Sequence, residues 1–207
     1  MEKTKLQFIF WLGKGAAGKD TQAAIILSKS PTAICRSTGD IYRSAKNNIG
    51  EFARYHSILE PYINNVDGGG YIPDNPIVDI VGEIIQNDIA SGKRIFLYTG
   101  FPRTVIQLNL LDDMFSKMSE KFEISANYIY YPVSDETVRE RSLKRYQLEE
   151  RDDDRPESVE KKLETFYELT KPLIFRLSIE DRLIVINGER SISEIEAETS
   201  LRLSKER

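Results

Sequence analysis

Gly13-Lys14-Gly15-Ala16-Ala17-Gly18-Lys19 matches the spacing G-x-x-x-x-G-K, and the chemistry that spacing serves is phosphate binding. Glycines let the backbone curl until its N–H groups converge on phosphate oxygens at a helix N-terminus. Lys19 then supplies a point charge to the β and γ phosphates. The residue after that lysine ordinarily offers a Ser or Thr hydroxyl to magnesium; here it is Asp20, with Thr21 next. The competing reading is a glycine-rich strand-to-helix turn with an exposed lysine. Isolated candidates carry less: His56 reads as packed or exposed rather than catalytic, and Cys35, within an apolar stretch, as a small buried hydrophobe.

A loop of this kind works only between a strand and a helix, and the flanks predict both. Residues 6–12 are nearly all apolar, as in a strand buried on both faces of a parallel sheet. Residues 19–30 read as a helix that packs through Ala23, Ala24, Ile26 and Leu27 and stops at Pro31. The order recurs, with strands over 32–36, 94–98, 126–131 and 182–186. Helices are predicted over 75–91, 104–118, 134–148, 156–179 and 191–204. Such alternation implies a parallel sheet with helices on both faces and right-handed crossovers. Two stretches break it. Residues 38–73 read as an inserted flap of helical fragments with a loose Asn64–Gly70 segment. Residues 146–155 hold five acids (Glu149, Glu150, Asp152, Asp153, Asp154) and two arginines, which reads as a solvated loop.

Composition narrows the class. Of 207 residues, 40% are hydrophobic and 30% charged, an ordinary globular balance. No apolar run reaches the ~20 residues that span a bilayer, and the charged start, Met1–Lys5, argues against a secretory signal. A single cysteine excludes an intramolecular disulfide and a multi-cysteine zinc site. The net charge of −4 disfavours a nucleic-acid or anionic-membrane binder. A cytoplasmic enzyme is expected.

Four further segments, with the loop, make the sequence recognisable. GKGAAGKDTQ (13–22) resembles the phosphate loop of nucleoside monophosphate kinases, adenylate kinases above all. Ser37-Thr38-Gly39-Asp40-Ile41-Tyr42-Arg43 resembles their S-T-G-D segment, and Gly69-Gly70-Tyr71-Ile72-Pro73-Asp74 their G-x-L-V-P-D. Gly100-Phe101-Pro102-Arg103-Thr104 with Gln107 resembles G-F-P-R-T-x-x-Q. Glu136, Arg141, Arg145, Arg151 and Leu163-Glu164-Thr165 fall in the order of the family's lid. The resemblance covers about residues 6–190. It implies one α/β kinase domain over 1–207: a three-layer P-loop fold on a five-stranded parallel sheet, an inserted monophosphate-binding flap over 38–73 and a short lid over 142–155.

The resemblance also assigns roles. It puts ATP on Gly13, Gly15, Ala16, Ala17, Gly18, Lys19, Asp20, Thr21 and Arg141. It puts AMP on Thr38, Gly39, Arg43, Tyr71, Ile72, Gly100, Arg103 and Gln107. Catalysis falls to Lys19, Arg103, Arg141, Arg145, Arg151 and Lys162, the last in place of a family arginine. The acceptor phosphate is already ionised near neutral pH, so no general base is needed. Repulsion between two polyanions is the obstacle, and guanidinium forks are suited to it. Gln107 and Thr38 follow the adenylate pattern, which favours AMP; a UMP/CMP or deoxynucleotide kinase and a weakly catalytic nucleotide-binding regulator are the alternatives. Family members carry Asp where this chain has Thr99, so Asp20 is expected to replace that carboxylate as a direct or water-mediated magnesium partner, or else to cap the helix start. Asp40 is expected to cap the following helix and aim Arg43. Trp11 is expected to pack in the sheet. The short lid and absent cysteines imply Mg2+ with ATP and no structural zinc, and the family implies a monomer.

Overall fold

The computed structural model describes residues 3–149 and 151–205; Met1 and Glu2 of the charged start and Glu150 of the acidic run lie outside them. The apolar run after the N-terminus forms β1 (Thr4–Leu12), and the loop leads into α1 (Lys19–Lys29). β2 (Ala33–Ser37) precedes α2 (Thr38–Lys46), and α5 (Asp74–Ala90) precedes β3 (Ile95–Thr99). Between α2 and α5 lie the short helices α3 (His56–Leu59) and α4 (Ile63–Asp67) and two 3₁₀ turns. α6 (Val105–Met118), β4 (Phe122–Tyr130) and α7 (Asp135–Glu149) follow. The chain closes with α8 (Pro156–Thr165), α9 (Lys171–Ile179), β5 (Leu183–Val185) and α10 (Ile192–Lys205).

The five strands form one parallel sheet in the order β2-β3-β1-β4-β5. β1 is central, so its alternate side chains enter two cores. Phe8 and Phe10 join Phe96, Tyr98 and Tyr128 on one face, with Phe8 and Phe96 stacked at 4.6 Å and Phe10 and Tyr128 at 5.1 Å. Ile9 and Trp11 join Leu97, Ile129 and Tyr131 on the other. Burying each such side chain contributes roughly 1.5–3 kcal/mol. Trp11 is fully buried and donates from Nε1 to Tyr131 Oη at 3.0 Å, which is the sheet-packing role expected of it. In register, Trp11 faces Thr99 across β1 and β3. The ends of those two strands are therefore adjacent, at the C-terminal edge where ligands of open α/β sheets bind.

Several local expectations need correction. Of the apolar residues expected to pack α1, Ala23 is buried and Ile26 half-buried, while Ala24 and Leu27 are exposed. Cys35 is half-buried, not fully buried. The Asn64–Gly70 segment is not loose: residues up to Asp67 belong to α4, and the amides of Gly68, Gly69 and Gly70 donate to the carbonyls of Asn64, Val66 and Asn65. The helix expected over 156–179 is two helices joined by a π-helical turn, Phe166–Thr170. Pro172, near the start of α9, lacks the N–H that a continuous α-helix would need there. His56 packs as expected, its Nδ1 bonded to the Ala45 carbonyl at 2.8 Å.

Candidate active site

Three unusual backbone angles shape the loop after β1. Gly13, Ala16 and Gly18 have φ of 128°, 55° and 88°, which turns main-chain N–H groups inward. At Gly13 a Cβ would also meet the Tyr131 carbonyl oxygen at 3.2 Å. Ala16 holds its left-handed angle despite its methyl, at a cost of roughly 1 kcal/mol. Lys19 is buried, contrary to the exposed-lysine reading, and donates to the carbonyls of Gly13 (3.2 Å) and Lys14. Burial lowers its pKa to about 8; Asp20 opposes the shift, and Arg103, Arg145 and Lys162 add to it.

Lys14 is a site residue that sequence reasoning missed. Its ammonium donates to the Val133 carbonyl at 2.9 Å and to Asp135 Oδ1 at 2.5 Å. It also stands 5.1 Å from the Tyr167 ring centroid and 5.7 Å from that of Phe166. Burial would lower its pKa, but Asp135 and Tyr167 outweigh burial and raise it. No local signal pairs a loop lysine with a carboxylate 121 residues away.

The ends of β2 and β3 build the second half of the cleft. Thr38 Oγ1 donates to the Gly100 carbonyl at 2.8 Å, and Arg103 Nε donates to the same oxygen at 2.6 Å. Gly100 has φ of 78°, and a Cβ there would lie 2.8 Å from both Thr38 Oγ1 and Arg103 Nη2. The Arg103 guanidinium lies 4.6 Å over the Tyr71 ring, and Tyr71 Oη meets Thr170 Oγ1 at 3.0 Å. Arg43 pairs with Asp40, the contact that an aiming role for that carboxylate needs. Its capping role is corrected: Ser37 caps α2, its Oγ accepting from Asp40 N. Gln107 is 2% exposed, with Oε1 accepting from Arg103 N at 2.7 Å and Nε2 donating to Asp74 Oδ1 at 3.0 Å.

The acidic run is solvated only in part: Glu149 is exposed, but Asp153 and Asp154 turn inward. Asp154 is buried and takes both Nε and Nη2 of Arg145, at 2.5 and 2.7 Å. Asp153 accepts from Arg151 Nε and Nη2 at 3.2 and 3.3 Å, and from Lys162 Nζ at 2.7 Å. Burial pushes the Asp153 carboxyl up, but Lys162 and Arg151 together hold it well below the usual carboxylate range. Burial lowers the Lys162 pKa in spite of Asp153. Asp153 and Asp154 are counter-ions to Arg145, Arg151 and Lys162, and a run of Asp directly after Arg151 is the signal that could have found them.

One cleft gathers most of the expected residues: Gly13, Gly15, Ala16, Lys19, Asp20, Thr38, Gly39, Arg43, Tyr71, Ile72, Gly100, Arg103, Gln107, Arg145, Arg151 and Lys162. Arg141, Ala17, Gly18 and Thr21 do not line it. Arg141 lies at the margin, Nη1 donating to the Ala16 carbonyl at 3.4 Å and Nη2 to that of Gly188 at 3.3 Å. Ala17 is buried behind the loop, and Thr21 is exposed on α1. Asp20 is exposed in the first turn of α1, where the helix dipole favours it. It is not the cap: Gly18 holds that position. Thr99, also lining the cleft, is 2% exposed, and its Oγ1 has no hydrogen-bond partner among the described residues.

A phosphate loop facing a second set of arginines around one cleft is the arrangement of a phosphotransferase with two anionic substrates. A family model described as "Adenylate kinase" matches residues 11–180. The chain belongs to the adenylate kinase family. It is similar to the adenylate kinase of Corynebacterium glutamicum, at 35% identity over 94% of this chain and 97% of that one. It is also similar to the adenylate kinases of Trichodesmium erythraeum, at 32% over 90% and 92%, and Hyphomonas neptunium, at 30% over 93% and 96%. Membership of the adenylate kinase family makes the protein a nucleoside monophosphate kinase, and the five-stranded parallel sheet is that of its P-loop kinase fold. Among the described residues no helix is long and apolar enough to cross a membrane.

Proposed function

We propose that the protein catalyses reversible transfer of the γ-phosphoryl group of ATP to AMP, giving two ADP. The observation that carries this reading is the single cleft in which Lys19 and its loop face Arg43, Arg103 and Gln107, with Arg145, Arg151 and Lys162 around it. On this reading the loop amides and Lys19 hold the donor phosphates, with Arg141 at the donor's outer edge. Arg43 and Arg103 hold the acceptor phosphate. Arg145, Arg151 and Lys162 offset the charge that builds on the transferring group. Tyr71, Ile72 and Thr38 frame the acceptor, and Gln107 reads its base. Residues 38–73 act as a flap and 142–155 as a short lid; their closure excludes water and spares ATP from hydrolysis.

Magnesium belongs to this reading as the partner of ATP. The buried Thr99 hydroxyl, without a hydrogen-bond partner among the described residues, and the Asp20 carboxylate on the same cleft fit a hydrated cation, and these two residues would hold it. The ion would neutralise charge on the donor phosphates. If Asp20 is the carboxylate partner, the Asp20→Gly, Thr99→Asp double variant keeps magnesium-dependent binding of a non-hydrolysable ATP analogue. An Asp20→Gly variant with unchanged magnesium dependence of binding and rate removes this assignment. Monomeric state is carried on the family resemblance and cytoplasmic location on composition, and sedimentation of the purified chain checks the first.

The deciding experiment is ADP formation from ATP with a panel of monophosphates, with and without magnesium. Turnover on AMP supports the reading, preference for UMP or CMP replaces the acceptor, and nucleotide binding without turnover makes the protein a regulator.

A further inference from the structure

We infer that Asp74, together with the Arg103 N–H, fixes the direction in which Gln107 presents its amide, and that this direction selects a 6-aminopurine over a 6-oxopurine monophosphate. The inference rests on the reading of Gln107 as the residue that meets the acceptor base.

A glutamine amide is ambiguous by itself. Turning it by 180° exchanges a donor for an acceptor with almost no change in shape. An unanchored Gln therefore pairs with an adenine edge in one orientation and with a 6-oxopurine in the other. Here two anchors demand the same orientation. The backbone N–H of Arg103 can only donate, so the group 2.7 Å away must be Oε1. The Asp74 carboxylate accepts, so the group 3.0 Å from Oδ1 must be Nε2. A flipped amide would set N–H against N–H at Arg103 and oxygen against oxygen at Asp74. Because Gln107 is 2% exposed, water is poorly placed to relieve either clash.

Asp74 is itself held. It is the first residue of α5, and its Oδ1 also accepts from Thr104 Oγ1 at 2.7 Å. Thr104 in turn caps α6 by accepting from Gln107 N at 3.0 Å. The carboxylate thus joins the starts of two helices that flank the cleft. With one bond used at each end of the amide, Gln107 retains a lone pair on Oε1 and an N–H on Nε2. A 6-amino group donates to that oxygen while a ring nitrogen accepts from Nε2. A 6-oxo group instead brings oxygen against oxygen. Asp74 touches no substrate in this scheme; it is a positioning residue for specificity.

The test compares kcat/KM for AMP and for inosine monophosphate, with ATP as donor, in the wild-type chain and in the Asp74→Asn and Thr104→Val variants. The asparagine offers either an oxygen or an amide nitrogen to Gln107, so of the two anchors only the Arg103 N–H still favours one orientation. The AMP-to-IMP ratio is expected to fall about tenfold or more in Asp74→Asn. In Thr104→Val, which costs a cap but keeps both amide anchors, it is expected to stay within about threefold of wild type. Both substrates are assayed on one preparation, so the ratio is independent of how much of a variant is folded. An unchanged ratio in Asp74→Asn, or an equal fall in Thr104→Val, overturns the proposal. A wild-type chain without preference for AMP over UMP and CMP overturns the adenine reading itself, and this inference with it. A wild-type chain that prefers AMP while Asp74→Asn keeps the ratio overturns only the role of Asp74.

Discussion

Asp154, with a side chain 1% exposed, receives both forks of the Arg145 guanidinium, at 2.5 and 2.7 Å. Burial opposes the arginine's charge, and the Asp154 hydrogen bonds together with the charges of Asp154, Asp153 and Asp20 outweigh it. Asp154→Ala leaves that charge without its main partner, and removing one member of such a pair costs about 3 kcal/mol. In a chain of this size the melting temperature should drop by roughly 6–12 °C. kcat should fall as well, because Arg145 is no longer aimed. Thermal melts followed by circular dichroism, beside steady-state rates at a temperature where the variant is folded, separate the two effects.

Arg103 and Arg141 should fail differently. Arg103 lies inside the cleft, with Nε on Gly100 and its plane over Tyr71. Arg103→Lys keeps the charge but loses the fork and the stacking, and kcat/KM is expected to fall about 10²–10³-fold. Arg141 reaches only the carbonyls of Ala16 and Gly188 at the margin. Arg141→Met should chiefly raise KM for ATP, about tenfold, with a smaller change in kcat. Equal losses of kcat in both variants would contradict this division.

Lys19 makes nucleotide binding depend on pH in a predictable direction. Burial sets its pKa to about 8, below that of a lysine in the unfolded chain. Its charge therefore costs stability below pH 8, and that cost is relieved as pH rises from 8 toward 10.5. Polyphosphate favours the ammonium and raises the pKa again, so binding above pH 8 takes up a proton. Calorimetric titration with an ATP analogue at pH 9, in buffers of different ionisation enthalpy, should report an uptake approaching one proton. At pH 6.5 it should report none from this group, and Lys19→Met should abolish the uptake at pH 9.

Gly69 and Gly92 share a positive φ but not a neighbourhood. Their φ angles are 94° and 91°. A Cβ on Gly92 meets nothing within 4 Å, whereas one on Gly69 lies 2.8 Å from Lys161 Cβ and 3.0 Å from Lys162 N. Gly92→Ala should cost about 1 kcal/mol of stability from strain alone, with no effect on rate. Gly69→Ala adds a collision between residues 38–73 and α8. It should cost about 2 kcal/mol and lower kcat, since Lys162 is displaced with the helix. Denaturant unfolding and single-turnover rates of the two variants isolate the contact.

Much of this architecture was legible because its causes are local. The apolar run of β1, the glycines of 13–18 and the helix after them are contiguous, and strand–helix alternation follows from short-range pattern. Gln107 and Arg103 were found because they sit within one motif. What escaped depends on pairs that are distant in sequence or on elements too short to have a period. Helical fragments are legible within 38–73, but the bounds of the four-residue α3 and five-residue α4 are of the second kind. Lys14 with Asp135 and Gln107 with Asp74 are of the first. Asp153 and Asp154 were visible but misjudged: a cluster of acids reads as hydrated until its arginine partners are known to turn back onto it. Asp40 was misjudged more narrowly, because Ser37 three residues earlier competes for the same cap.

Lys14 has a mechanical consequence. Its ammonium joins the phosphate loop to the Val133 carbonyl, to Asp135 at the root of α7, and to the rings of Phe166 and Tyr167. The phosphate loop and the first turn of α7 are thus tied together, so on the proposed reading a lid over 142–155 would open by bending α7 beyond that turn. Such an opening would leave the proposed donor site undisturbed, and ATP binding and lid movement would be separable events. In hydrogen exchange the amides around residues 13–19 and those of the first turn of α7 should behave as one protected unit, and Lys14→Met should split it.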